Sequence, residues 1–217
     1  MAKHTFLLDC GHGSINEDGI YVTAPNFDPK KPDTWHKSYY HNKDVRIYEG
    51  EYNRKIRDEL IKLINEDGKM QWFILNNSYE DMSLTKRCRI ANELQSRHGD
   101  CVFISIHGNG GGGRGIEGYT SPGLTKSDPI CTVFLEEAAK EFPKQKLRTD
   151  PSDPEKDPDK EARFTVLMDT HCPALLMEWF FMDTLKDCKF MLTDECHQRV
   201  ALAMYRAMKI VDASTEL

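Results

Sequence analysis

Residues 101–106 read Cys-Val-Phe-Ile-Ser-Ile, followed by His107-Gly108-Asn109. A nearly continuous apolar run of this length suits a strand buried on both faces. Such strands belong to parallel sheets covered by helices on either side. Residues 6–9 and 72–75 read as further short buried strands, and 116–120, 164–168 and 174–177 as others. Helical stripes lie between the runs. Ile56, Leu60, Leu63 and Ile64 mark a helix over 51–66. Leu84, Cys88, Ala91 and Leu94 mark a second, residues 128–142 a third that ends at Pro143, and Val200, Met204, Met208 and Val211 a C-terminal one. Strands alternating with helices predict an α/β fold, an open, twisted, mostly parallel sheet with helices on both faces. No internal repeat or linker interrupts it, so a single domain over 1–217 is expected.

Two stretches stand outside this alternation. Residues 13–48 are polar, aromatic and turn-rich, with Pro25, Pro29 and Pro32, and read as a long loop or hairpin excursion. Long loops in a packed domain are often functional. Residues 148–161 carry three prolines and mostly acid with no core residue, and read as a solvated loop. The net charge of −6, with no basic stretch, argues against a nucleic-acid partner. Seven cysteines without a CxxC pair argue against a disulfide framework or a cysteine zinc knuckle and fit a reducing compartment. The first nine residues hold only three consecutive strongly apolar ones, which is neither a signal peptide nor a membrane span. A cytoplasmic, monomeric product is expected, with no membrane partner.

The first strand ends in Asp9-Cys10-Gly11-His12-Gly13, and the central one in His107-Gly108. Two imidazoles presented alike, each beside glycine, suggest a metal site at one sheet edge. A catalytic zinc commonly takes three ligands from His and carboxylate and leaves a position for water. Glu49 and Glu51 both flank Gly50 and either is a candidate third ligand. Glu178 closes an apolar run and is walled by Trp179, Phe180 and Phe181. Burying a lone charged Glu is costly, so it needs a function or a cation, and burial raises its pKa toward that of a general base. Gly108 to Gly113 fits GxGxxG, but the glycines run on into Arg114-Gly115-Ile116-Glu117 without opening a helix, as a dinucleotide site requires. They read as a rim beside the metal, with Arg114, Glu117 and Trp179 as candidate substrate contacts. His171 is a weaker candidate for lining the site. His4, His36, His41, His98 and His197 read as surface or packing residues.

Four motifs in order resemble the zinc-dependent N-acetylmuramoyl-L-alanine amidases of the AmiC/CwlV-like type. They are Asp9-Cys10-Gly11-His12-Gly13, Glu49 followed by Asn53, Ser105-Ile106-His107-Gly108-Asn109, and Pro173 to Glu178. The segment 82–92 also resembles that family's helix before the His107 strand, and the likeness runs from about residue 4 to about residue 210. The resemblance selects Glu49 over Glu51. It implies one zinc ion on His12, Glu49 and His107, a water acidified by that ion as nucleophile, and Glu178 as general base and acid. It implies hydrolysis of the amide between muramic acid and L-alanine in peptidoglycan or a muropeptide, and thus cell-wall degradation. A phage-type lysin (endolysin) fits the lack of a signal peptide. The alternatives are a zinc peptidase or amidase on another amide, and a non-catalytic wall-binding or tail-associated module. Ser14, Trp179 and the long 13–48 loop depart from the family pattern.

Overall fold

The computed structural model describes residues 2–150 and 157–214. In chain order the elements are β1 (Thr5–Cys10), a 3-10 turn (Pro32–Thr34), β2 (Ser38–Asn42), β3 (Val45–Tyr48), α1 (Glu49–Asp67), β4 (Gln71–Ile74), α2 (Leu84–His98) and β5 (Cys101–Asn109). Then follow β6 (Ile116–Thr120), α3 (Ser127–Glu141), β7 (Lys160–Glu161), α4 (Thr165–Met168), β8 (Ala174–Phe181), α5 (Leu185–Met191) and α6 (Asp194–Ala213). Six strands form one sheet in the order β4-β1-β5-β8-β6-β7, and β2 and β3 form a separate hairpin within the 13–48 excursion. β4, β1, β5 and β8 run parallel, whereas β6 lies antiparallel to β8 and carries the short β7 beside it.

Strand alternation sends side chains to two cores. Phe6, Leu8, Ile104, Leu175 and Met177 pack with α1, α3 and α6 on one face. Leu7, Phe103, Ala174 and Leu176 pack with Cys88 and Ala91 of α2 and Val166 and Leu167 of α4 on the other. Local signals set the helix ends. Ser83 and Thr193 cap α2 and α6 by accepting from Lys86 N and Cys196 N. Gly68, at φ 65°, ends α1 in the left-handed conformation that glycine adopts freely.

The chain passes from β1 to β4 on one side and then to β5 on the other. In open α/β sheets the crevice beyond the C-terminal strand ends at such a reversal is where ligands bind. Here it opens between β1 and β5, so the predicted sheet edge is the one made by C-terminal strand ends.

Two expectations, for residues 164–168 and 148–161, are corrected, and two features, the direction of β6 and the helix α5, lie outside the sequence reading. Residues 164–168 form the one-turn helix α4 rather than a strand, because a short apolar run fits either period. β6 runs against the parallel direction. The helix α5 is only seven residues long, too short for a helical period to show. Within 148–161, residues 151–156 lie outside the described residues, but the remainder is not simply solvated. Asp159 is buried, accepts from Thr120 Oγ1, and has its carboxyl pushed up to about 7, chiefly by burial. All seven cysteines are free and buried, as the missing disulfide framework required. No helix of the described residues is long and apolar enough to cross a membrane.

Candidate metal centre

His12 follows β1 with φ 63°, a left-handed conformation uncommon for a residue with a side chain. Strain of this kind persists only where neighbours enforce it. Two contacts from α1 do so. Asn53 Nδ2 donates to Gly11 O (3.1 Å), and Arg54 Nη1, itself held to Gly50 O of its own helix (2.9 Å), donates to His12 O (3.0 Å). Two glycines make room. A Cβ on Gly11 would lie 2.1 Å from the His107 ring, and one on Gly50 would lie 1.7 Å from Gly13 O. The Glu49-to-Asn53 spacing thus has a physical meaning, since one helical turn carries both the carboxylate and the amide that fixes the histidine loop.

Glu49 is the first residue of α1 rather than lying just before it. Its N–H donates to Lys37 O (3.0 Å), and that carbonyl also accepts from Tyr21 OH (2.9 Å). The 13–48 excursion therefore holds the helix start from outside. Glu49 Oε1 stands 2.8 Å from His107 Nδ1 and 3.4 Å from His12 Nε2. The two imidazoles meet edge to face with centroids 5.3 Å apart. One donor atom from each of the three residues lies within 4.8 Å of the others. His12 Nε2 is buried without a hydrogen-bond partner. Two ring nitrogens and a carboxylate oxygen, one of the nitrogens left unsatisfied, suit a single divalent cation. Glu51 instead pairs with Lys55.

Glu178 lies beside His107 in the β5–β8 register, on the same sheet face. Its Oε2 is buried and unpartnered. Burial lifts its carboxyl to about 7, aided by the Glu49 and Glu117 charges and opposed by His107 and Lys37. Glu49 behaves oppositely. Burial works against its charge, but His12 and His107 outweigh it and hold the carboxyl far below the usual range. One carboxylate is held ionised, and the other has its proton equilibrium moved close to neutral pH.

Glu178 borders two recesses. One, about 600 Å³, runs over the sheet toward α2 and α4 and is walled by Met82, Leu84, Phe164, Val166 and Leu176. Lys37 and Arg163 bring cations to it. Its floor is an ion pair in which buried Asp9 accepts from Arg87 Nη1 and from Ser105 Oγ (2.7 Å). The other recess, about 390 Å³, lies on the side of Asn109 and Asp183, and Lys37 lines it too.

Sequence reasoning missed three of these side chains. Arg87 was visible as a cation on the otherwise apolar stripe of Leu84, Cys88 and Ala91. Lys37 and Arg163 sit in loops with no periodic signal. Of the candidate substrate contacts, Glu117 lies beside Glu178 in the β6–β8 register. Arg114 is instead engaged by Asp187 (3.2 Å). Trp179 is corrected outright, since strand alternation turns it away from Glu178 into the core, where it is fully buried and cannot wall a substrate. His171 lies beside Asn92 in a separate recess along α2. The glycine-rich stretch opens no helix, as expected.

The profile of the N-acetylmuramoyl-L-alanine amidase family matches residues 7–209. The N-acetylmuramoyl-L-alanine amidase CwlM of Bacillus licheniformis is 33% identical over 144 residues, which is 64% of this chain and 50% of that protein. A sporulation-specific N-acetylmuramoyl-L-alanine amidase of Bacillus subtilis (strain 168) is 32% identical over 142 residues, 64% of this chain and 49% of that one. The chain thus spans about half the length of the curated relatives it matches. Among solved structures, the N-acetylmuramoyl-L-alanine amidase of Clostridium difficile 630 superposes with a TM-score of 0.75 at 19% identity, covering 99% of this chain and 100% of that one. At that identity the likeness concerns the fold.

Proposed function

The chain belongs to the N-acetylmuramoyl-L-alanine amidase family, and from that premise we propose that it hydrolyses the amide between the lactyl carbonyl of muramic acid and L-alanine, in peptidoglycan or a soluble muropeptide, with one zinc ion. His12, Glu49 and His107 would hold the ion. Zinc, when bound, supplies Lewis acidity toward water and toward a carbonyl oxygen. Glu178 moves the proton. Its unpartnered Oε2 is placed to accept from an attacking water and to return the proton to the departing amine. A carboxyl near 7 can do both at neutral pH. Lys37 and Arg163 bring positive charge to the larger recess.

The observation that carries this reading is the buried, unpartnered carboxyl of Glu178 in register beside His107 of the His-Glu-His cluster. Digestion of purified cell walls by the zinc-loaded protein, with mass spectrometry of the new ends, tests it. A free L-alanine amine paired with a lactyl carboxylate is expected. A new end at any other bond, or walls and soluble muropeptides both left intact in the presence of bound zinc, would reject it.

A further inference from the structure

Two recesses border Glu178, and among the described residues only Lys37 and Glu178 line both. A substrate that fills one recess and continues into the other passes both an acid and an ammonium group. Lys37 comes from the 13–48 excursion, the stretch whose length departs from the family pattern.

Its backbone is fixed more firmly than an exposed loop residue needs. Lys37 has φ 55°, a left-handed conformation uncommon for a residue with a side chain. Lys37 O accepts from Glu49 N (3.0 Å) and Tyr21 OH (2.9 Å), and the next residue, Ser38, donates its N–H to Trp35 O (3.1 Å). Backbone held against its preference in this way clusters where a side chain must be aimed. The side chain is uncommitted. Nζ stands 3.8 Å from Glu49 Oε2, beyond hydrogen-bond reach, and among the described residues it donates to no acceptor. Its three N–H donors are left for solvent or a ligand. Other cations nearby are engaged or placed elsewhere. Arg87 donates to Asp9 and to Cys10 O, and Arg54 to His12 O and Ser78 O. Arg163 lines only the larger recess.

Glu49 Oε1, the other oxygen of the carboxylate that Lys37 faces, is 2.8 Å from His107 Nδ1, and Glu178 is the strand neighbour of His107. One carboxylate thus separates Nζ from the ring nitrogens of the metal centre. Its charge also reaches Glu178, where it opposes the upward shift of that carboxyl.

We propose that Lys37 is a further catalytic residue, whose ammonium donates to the scissile carbonyl oxygen as that oxygen becomes negative. The inference rests on the amidase reading, which puts the scissile bond at Glu178. Addition of water to the carbonyl carbon moves the C=O π pair onto oxygen, where a Lys37 N–H meets the charge. The water proton passes to Glu178. Collapse of the adduct re-forms C=O, breaks the C–N bond and carries that proton from Glu178 to the departing nitrogen. Lys37 transfers no proton. Its hydrogen bond is weak to a neutral carbonyl and strong to the oxyanion, so it acts on kcat more than on substrate binding.

A phosphonamidate analogue of N-acetylmuramoyl-L-alanine, with anionic tetrahedral phosphorus in place of the lactyl carbonyl carbon, tests this without turnover. Calorimetry on the zinc-loaded full chain should show it bound about 10–100-fold more weakly by Lys37→Met. The unreacted amide, N-acetylmuramoyl-L-alanine, should bind alike to Glu178→Gln with and without Lys37→Met. In turnover, Lys37→Met should lower kcat by about the same 10–100-fold with KM and zinc affinity nearly unchanged, and Lys37→Arg should recover part of the loss. Matching thermal melts check that the variants fold. Equal analogue affinity in Lys37→Met, a rise in KM at unchanged kcat, or a loss of zinc affinity as large as the loss of kcat would overturn the assignment. Walls digested as fast by Lys37→Met as by wild type would remove Lys37 alone. Walls and soluble muropeptides both left intact by zinc-loaded wild type would remove the amidase reading, and Lys37 with it.

Discussion

Two carboxylates at this centre sit in opposite electrostatic settings, one set by imidazole neighbours and the other by burial. Glu49 meets two imidazoles and stays charged, whereas burial lifts Glu178 to about 7, with the Glu49 and Glu117 charges adding to it. A carboxyl whose folded pKa exceeds its unfolded value binds its proton more tightly when folded. Its stabilising effect is complete at low pH and is lost as pH rises through the window from 4.5 to about 7. The metal-free protein should therefore lose roughly 3 kcal/mol of stability from Glu178 across that window. Denaturant melts at a series of pH values measure this, and Glu178→Gln should flatten the slope. Asp159, also near 7, contributes a second share in the same direction that the Gln variant leaves in place. In the zinc-loaded protein Glu178→Gln should lower kcat by about 10²–10⁴-fold with zinc content unchanged. His107→Ala should lose the metal itself, and atomic absorption tells the two apart. Retained turnover in the Gln variant would remove the base assignment. At this scale the histidines were legible because glycine follows each of them where a strand ends. Lys37 was not, since its place depends on a hairpin, a left-handed φ of 55° and a carbonyl shared by Glu49 and Tyr21.

Among elements, the first turn of α1 packs directly against the loop after β1. Gly50 has no space for a methyl group, which would sit 1.7 Å from Gly13 O. Gly50→Ala should push the His12 loop from the helix, cost about 1–3 kcal/mol and weaken zinc binding. Competition with a chromophoric chelator should show at least a 10-fold loss of affinity, since misplaced ligands lose metal steeply. Unaltered affinity would mean that the loop can shift without moving the imidazole. Most strands and long helices were legible because their apolar residues repeat with a clear period, as in residues 101–106 and the α1 stripe. The four-residue α4 was not, because so short a run satisfies both periods. The reversed direction of β6 was hidden for another reason. Periodicity reports which faces are buried and says nothing of strand polarity.

For the molecule as a whole, the triad joins three distant parts of the chain, the loop after β1, the start of α1 and the end of β5. An ion bound there prefers the folded chain and stabilises all of it. At free zinc about 1,000-fold above its dissociation constant the gain is about 4 kcal/mol. Chelation should lower Tm and readdition restore it, while the His107→Ala protein should melt alike with and without zinc. The seven cysteines have a different consequence. All are buried, and burial pushes every thiol pKa upward, to about 12 for Cys172, Cys188 and Cys196. Sulfurs sealed in this way ignore alkylating reagents until the packing around them comes apart. A pulse of iodoacetamide then works as a clock, in which the cysteines should be carboxamidomethylated together at the pace of global opening, and a single early adduct would mark a local door.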